Sequence, residues 1–209
     1  MLDDLDVRAS DILQANGVIW VEGLSDRVYL NKWIEIFSEG EIKEGFDYQI
    51  VFYGGRLLSH LEFQGPTGNN SSLINLLLTN RNAAIIIDSD KRYINQPIND
   101  TKKRIKQEFN EVNSFCWITK GKEIENYLPK TTIESFYEKE IDRQFGKYEL
   151  IDNFLDSINE GEGKRFLRNK VKFAKDISQY FIKEELESSL DLKKNVDILI
   201  ENIRKWNSK

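Results

Sequence analysis

Residues 83–90 read AAIIIDSD, an apolar run that ends in two carboxylates one residue apart. A short, Ile-rich run of this kind predicts a strand buried on both faces. Side chains alternate along a strand, so Asp88 and Asp90 are expected on one side, with Ser89 opposite. Carboxylates at the carboxyl end of a buried parallel strand stand where open α/β sheets bind ligands. Two converging acids repel unless a proton or a cation intervenes, and a hard divalent ion such as Mg2+ suits all-oxygen ligands. The plainer alternative is that Asp88 caps the following helix and Asp90 is solvated.

Working outward, residues 18–21 (VIWV) predict a second buried strand, closed by Glu22 and Gly23. Ser25 is the expected N-cap of a helix that runs to about Phe37, with Tyr29, Trp33 and Phe37 at four-residue steps. Glu22 at the strand end and Asp26 in the first helical turn would face the same crevice as Asp88 and Asp90. Residues 47–53 (DYQIVFY) predict a strand, and Gly54 and Gly55 after it permit positive φ or close approach of a ligand. A Gly, Pro and Asn loop at 64–72 and a short apolar helix at 72–78 lead into the Ala83 strand. Residues 100–110 predict a charged helix whose Lys102, Lys103, Arg104 and Lys106 read as a solvated face. A fourth strand at 114–119 is followed by GKEIENYLP, which sets Glu123 and Glu125 just beyond its end.

After Phe136 the pattern is helical, with amphipathic segments at 148–158, 166–181 and 190–206 and a loop at 161–163. The organisation read from this is a lead-in helix over 1–16, an α/β core over 17–135 and a helical C-terminal extension over 136–209. The core is expected to hold about four mostly parallel strands flanked by helices.

A single cysteine (Cys116) and a single histidine (His60) exclude intrachain disulfides, thiolate zinc sites and histidine-rich metal chemistry. The first ten residues, MLDDLDVRAS, are acidic and lack a signal-peptide pattern. No apolar stretch approaches the roughly 20 residues of a membrane helix, so a cytoplasmic protein with no membrane partner is expected. The net charge of -5 does not by itself advertise a nucleic-acid binder. Lys164, Arg165, Arg168, Lys170, Lys172 and Lys175, with no acid among them, form a basic cluster expected to meet a phosphate backbone.

The strand ends thus deliver Glu22, Asp26, Asp88, Asp90 and Glu123 or Glu125. Five carboxylates exceed what general acid–base work needs and fit two divalent ions spaced for phosphodiester chemistry. The pair VIWVEG (18–23) and IIIDSD (85–90) resembles the signature of the TOPRIM domain, a Rossmann-like α/β fold. Within that group VEGLSD (21–26), DSD (88–90), KEIENYLP (122–129) and NKVKFA (169–174) resemble the OLD (overcoming lysogenization defect) nucleases, over roughly residues 16–175.

The resemblance implies two Mg2+ or Mn2+ ions, one held by Glu22 and Asp88, the other by Asp26, Asp90 and a Glu of the EIENY segment, Glu123 or Glu125. It implies a lysine near the scissile phosphate, matched to Lys170 with Lys172 as the alternative. It also implies DNA as substrate, a homodimer, and an ABC-type ATPase ahead of the nuclease. This sequence has no GxxxxGK[ST]. ATP hydrolysis is therefore not carried over, and the ATPase would be a further domain or a separate subunit. The expected function is metal-dependent DNA endonuclease activity in phage defence. The alternative is a non-catalytic TOPRIM module that binds nucleic acid or a partner protein. Without metal, loss of either Asp88 or Asp90 is expected to relieve repulsion and leave the fold at least as stable.

Overall fold

The four apolar runs pair side by side in parallel: β1 (Val18–Val21), β2 (Gln49–Phe52), β3 (Ala83–Ile87) and β4 (Phe115–Ile118). The computed structural model describes residues 15–54 and 82–208. His60, the loop at 64–72, the helix at 72–78 and nearly all of the lead-in helix over 1–16 lie outside the described residues. The sheet is parallel throughout, in the order β2-β1-β3-β4. The chain therefore steps outward from β1 to β2 and returns to the other side of β1. That reversal creates the crevice at which open α/β sheets take ligands. Trp20 pairs with Ile85, and Ile87 with Ile118, so the carboxyl ends of three strands lie nearly level.

Strand alternation sorts the core into two layers. Ile19, Val21, Ala84, Ile86 and Trp117 face α1 (Leu24–Phe37) and the C-terminal helices. Trp20, Ile85, Ile87 and Cys116 face Ile105 and Phe109 of α2 (Asp100–Glu111). Tyr29, Leu30, Trp33 and Ile34 of α1 are fully buried, Leu30 and Ile34 each at roughly 1.5–3 kcal/mol of favourable transfer.

Two cap assignments differ from the sequence reading. Gly23, not Ser25, precedes α1, because the Asp26 carboxylate accepts the Glu22 and Gly23 N–H groups and starts the helix early. The Asn99 side chain caps α2 by accepting the Lys102 N–H at 2.9 Å, so Asp88 caps no helix.

The C-terminal part holds α3 (Lys130–Tyr137), α4 (Ile151–Ile158), α5 (Glu162–Arg168), α6 (Lys170–Ile177), α7 (Lys183–Ser188) and α8 (Leu192–Asn207). The single helix expected at 166–181 is divided at Asn169, which ends α5 and caps α6 by accepting the Lys172 N–H at 3.0 Å. Glu162 and Gly163 belong to α5 rather than to a loop. A Cβ on Gly163 would sit 2.2 Å from the Asp152 carbonyl oxygen, so glycine lets α5 close against α4. One continuous buried cluster runs from Ile19 and Trp33 through Ile133 and Phe173 to Ile203, so these helices are part of the wall over the sheet. Among the described residues no helix is long and apolar enough to cross a membrane.

Candidate functional site

Glu22 emerges where β1 ends. Asp26, one turn into α1, accepts the Glu22 and Gly23 N–H groups at 3.1 Å each and the Ser25 hydroxyl at 3.2 Å. The same carboxylate thus fixes the Glu-Gly turn and faces the crevice. Burial raises the Asp26 pKa to about 6, against the lowering effect of the Gly23 N–H. Burial also raises Glu22, helped by the Asp90 charge and opposed by Lys102 and Lys170.

The β3 end departs from simple alternation. The strand stops at Ile87, and the chain is drawn toward the β4 loop by three bonds. Ser89 N–H donates to Thr119 Oγ1 at 2.8 Å, the Ser89 hydroxyl donates to the Gly121 carbonyl, and Asp90 N–H donates to the Lys122 carbonyl at 3.0 Å. This turn puts Asp90 in the left-handed region, at φ 55°, a conformation aspartate tolerates better than most residues. Asp88 and Asp90 therefore do not project in parallel from one strand, although both still line the crevice. Burial lifts the Asp88 carboxyl well above the usual range, and Asp26, Glu125, Glu22 and Glu123 add to it.

Asp90 is not simply solvated. Its carboxylate receives the ammonium of Lys102, whose side chain is 4% exposed against 65% for Asp90. Lys102 therefore does not lie on a solvated helix face, whereas Lys103 is 57% exposed. Sequence reasoning missed this residue. The available signal was a cation at the third position of a helix already capped by Asn99, where the helix dipole disfavours positive charge.

Beyond β4, Glu123 caps a 3-10 turn (Ile124–Tyr127) that contains Glu125. Asn126 holds this turn. Its Oδ1 accepts the Glu123 N–H at 2.8 Å, and its Nδ2 donates to the Gly146 and Glu149 carbonyls at 3.0 and 2.9 Å. The Tyr127 hydroxyl donates to Asp191 at 2.7 Å and accepts Lys120 N–H and Trp117 Nε1–H. A Cβ on Gly121 would meet the Asn126 Cβ at 2.6 Å. Asn126, Tyr127 and Gly121 thus anchor the turn, and the two glutamates face the crevice. Burial, with Asp26, raises Glu125 to about 8. Glu123, less enclosed, is raised by burial and lowered by Lys170 and Lys122.

Lys170 opens α6 on the opposite wall, its ammonium 5.2 Å from the centre of the Phe166 ring. It lines a crevice of about 350 Å3 together with Glu22, Asp26, Asp88, Asp90, Glu123 and Glu125. Lys172 instead pairs with Asp176 at 2.6 Å and lines a neighbouring cavity. All the expected site residues except Lys172 therefore share one crevice.

The donor set is entirely oxygen and suits hard divalent ions. The fully buried Tyr29 hydroxyl, near Asp26 and Glu125, has no hydrogen-bond partner among the described residues. As placed here, no three His, Cys, Asp or Glu side chains among the described residues stand close enough to hold an ion. The physical reason is charge. Carboxylates of like charge repel, Asp90 pairs with Lys102, and Asp26 accepts the Glu22 and Gly23 N–H groups.

No protein-family model and no curated protein matches the chain. Two solved structures do. The C-terminal region of the Burkholderia pseudomallei OLD protein matches at TM-score 0.49 and 14% identity, over 92% of this chain and 98% of that one. The C-terminal region of the Xanthomonas campestris pv. campestris OLD protein matches at TM-score 0.51 and 15% identity, over 93% of this chain and 95% of that one. With its parallel sheet, its acid-bearing strand ends and its helical C-terminal wall, the chain has the TOPRIM-like α/β fold of the C-terminal region of an OLD protein.

Proposed function

We propose that the chain is a metal-dependent DNA endonuclease, the nuclease part of an OLD-type system. The observation that carries this reading is the crevice, in which six carboxylates face a lysine at the carboxyl edge of the sheet. Glu22 and Asp88 would hold one Mg2+ or Mn2+, and Asp26 and Asp90 with Glu123 or Glu125 the other. When bound, such ions supply Lewis acidity to phosphate and water.

The chain's own contributions follow from charge. Six acids in a partly desolvated crevice repel a phosphate that approaches them, so cations there strengthen the hold on DNA that the neighbouring basic residues begin. Lys170, across from the acids, stabilises negative charge that grows on the phosphate oxygens. The basic faces of α5 and α6 beside it position the backbone. Phage defence, a homodimer, an ABC-type ATPase partner and a cytoplasmic setting belong to this proposal through the resemblance of the motifs.

Supercoiled plasmid incubated with Mg2+, Mn2+ or EDTA tests it. Nicked or linear product with metal, none in EDTA, and loss of product in Asp88→Asn are expected. A second reading, a non-catalytic module that binds nucleic acid or a partner, is favoured by the Asp90–Lys102 pair and by the lack, among the described residues, of a closed ligand cluster. It expects intact plasmid under every condition and no thermal stabilisation by either metal.

A further inference from the structure

Beside the acid crevice lies a larger cavity of about 470 Å3 on α3, α5 and α6, within the roughly 300–1,000 Å3 of small-ligand sites. The carboxylate chemistry does not use it. Its floor is aromatic: Phe166 and Phe173 are buried edge-to-face at 5.1 Å, and Phe136 packs on Phe173 at 5.5 Å. Phe136 and Tyr137 stay half-buried at its side.

Its rim is cationic. Arg165 is paired with Glu162 and Lys172 with Asp176, while Lys164 and Arg168 are exposed and make no ion pair among the described residues. The cavity is joined to the candidate active site by one side chain. Phe166 lies under the Lys170 ammonium and also forms part of the cavity wall. A phosphate at Lys170 therefore has an aromatic, positively rimmed cavity next to it.

We propose that this cavity receives an unpaired deoxynucleotide next to the phosphate that the crevice engages, its base against Phe136 and Tyr137 and its backbone on Lys164 and Arg168. The inference rests on the reading of the crevice as a DNA-cutting site and adds a preference for single-stranded or frayed substrate. Aromatic faces with cations tracking the backbone are how proteins grip single strands. A paired base inside a duplex offers no such face.

Binding in EDTA, read by fluorescence anisotropy, tests this apart from cleavage. The probes are a labelled oligothymidylate, a duplex of equal length, and an abasic sugar-phosphate chain of equal charge. The oligothymidylate should bind roughly tenfold more tightly than the abasic chain, which keeps the charges and loses only stacking. The duplex should be the weaker partner. Lys164→Gln with Arg168→Gln, exposed changes that spare the fold, should weaken both single-stranded probes and flatten the salt dependence. Tyr137→Leu should remove the difference between oligothymidylate and abasic chain. Equal affinity for those two probes in the wild type, or tighter binding of duplex, would overturn the proposal even if plasmid is cut. Base-dependent binding without any plasmid cleavage would instead retain the cavity and remove the nuclease reading.

Discussion

Two lysines on helix N-terminal turns flank the crevice, and they are held in opposite ways. Lys102 on α2 is enclosed and spent on Asp90. Lys170 on α6 makes no ion pair among the described residues and rests on an aromatic ring. A buried cation at a helix N-terminus is disfavoured by desolvation and by the dipole alike, so its carboxylate partner is what keeps Lys102 in place. Lys170 carries no such debt to a carboxylate and keeps its charge available for a substrate anion. The first lysine is a counter-ion held within the protein, and the second is the one that the proposed function assigns to phosphate.

The largest effect expected from this contrast is on rate. Lys170→Ala should slow plasmid cleavage by on the order of 10²- to 10³-fold with DNA affinity largely kept, whereas Lys172→Ala should cleave at nearly the wild-type rate. The reverse pattern would shift the active lysine to the neighbouring cavity.

The next effect is an asymmetry in stability. In EDTA, Asp90→Asn leaves an enclosed ammonium without its counter-charge and should cost about 1–3 kcal/mol in urea unfolding. Lys102→Met leaves only a well-solvated carboxylate and should change stability by less than about 1 kcal/mol. Equal losses would mean that Lys102 is not the dependent partner. This corrects the sequence-based expectation that losing either carboxylate relieves repulsion. That expectation remains for Asp88, whose neighbours are acids. Asp88→Asn should raise the stability in EDTA by about 1 kcal/mol, a shift of the thermal midpoint on the order of 3 °C at this size.

A smaller, distributed effect is expected with pH. Asp26 at about 6 and Glu125 at about 8 lie above their unfolded values, so the native state binds more protons than the unfolded chain. Stability of the metal-free protein should therefore fall as pH rises from about 4 to 8, as read by thermal midpoints across that range. A midpoint that rises over this window would contradict the burial of these two acids.

Much of the fold was legible because the strands are short, apolar and punctuated by acids or glycine. β1 was placed to the residue, β3 was placed with its carboxylates at the ligand-binding edge, and a mostly parallel sheet of about four strands followed from alternation with helices, whereas the strand order did not. The helix break at Asn169 was not legible, since apolar spacing runs through it and only the cap geometry divides α5 from α6. The left-handed turn at Asp90 depends on bonds to Thr119, Gly121 and Lys122, some thirty residues away in sequence. Lys102 was hidden for a related reason. Within a run of four cations, local sequence does not say which one the fold turns inward.

The central claim, that the six-carboxylate crevice is a divalent-metal site, is tested most directly by calorimetric titration of Mn2+ into the wild-type protein and Asp88→Asn. The account predicts saturable uptake of two ions by the wild type, and loss of at least one of them in the variant with its fold intact by circular dichroism. Absence of saturable Mn2+ uptake by the folded wild type, or identical uptake by the variant, would contradict it.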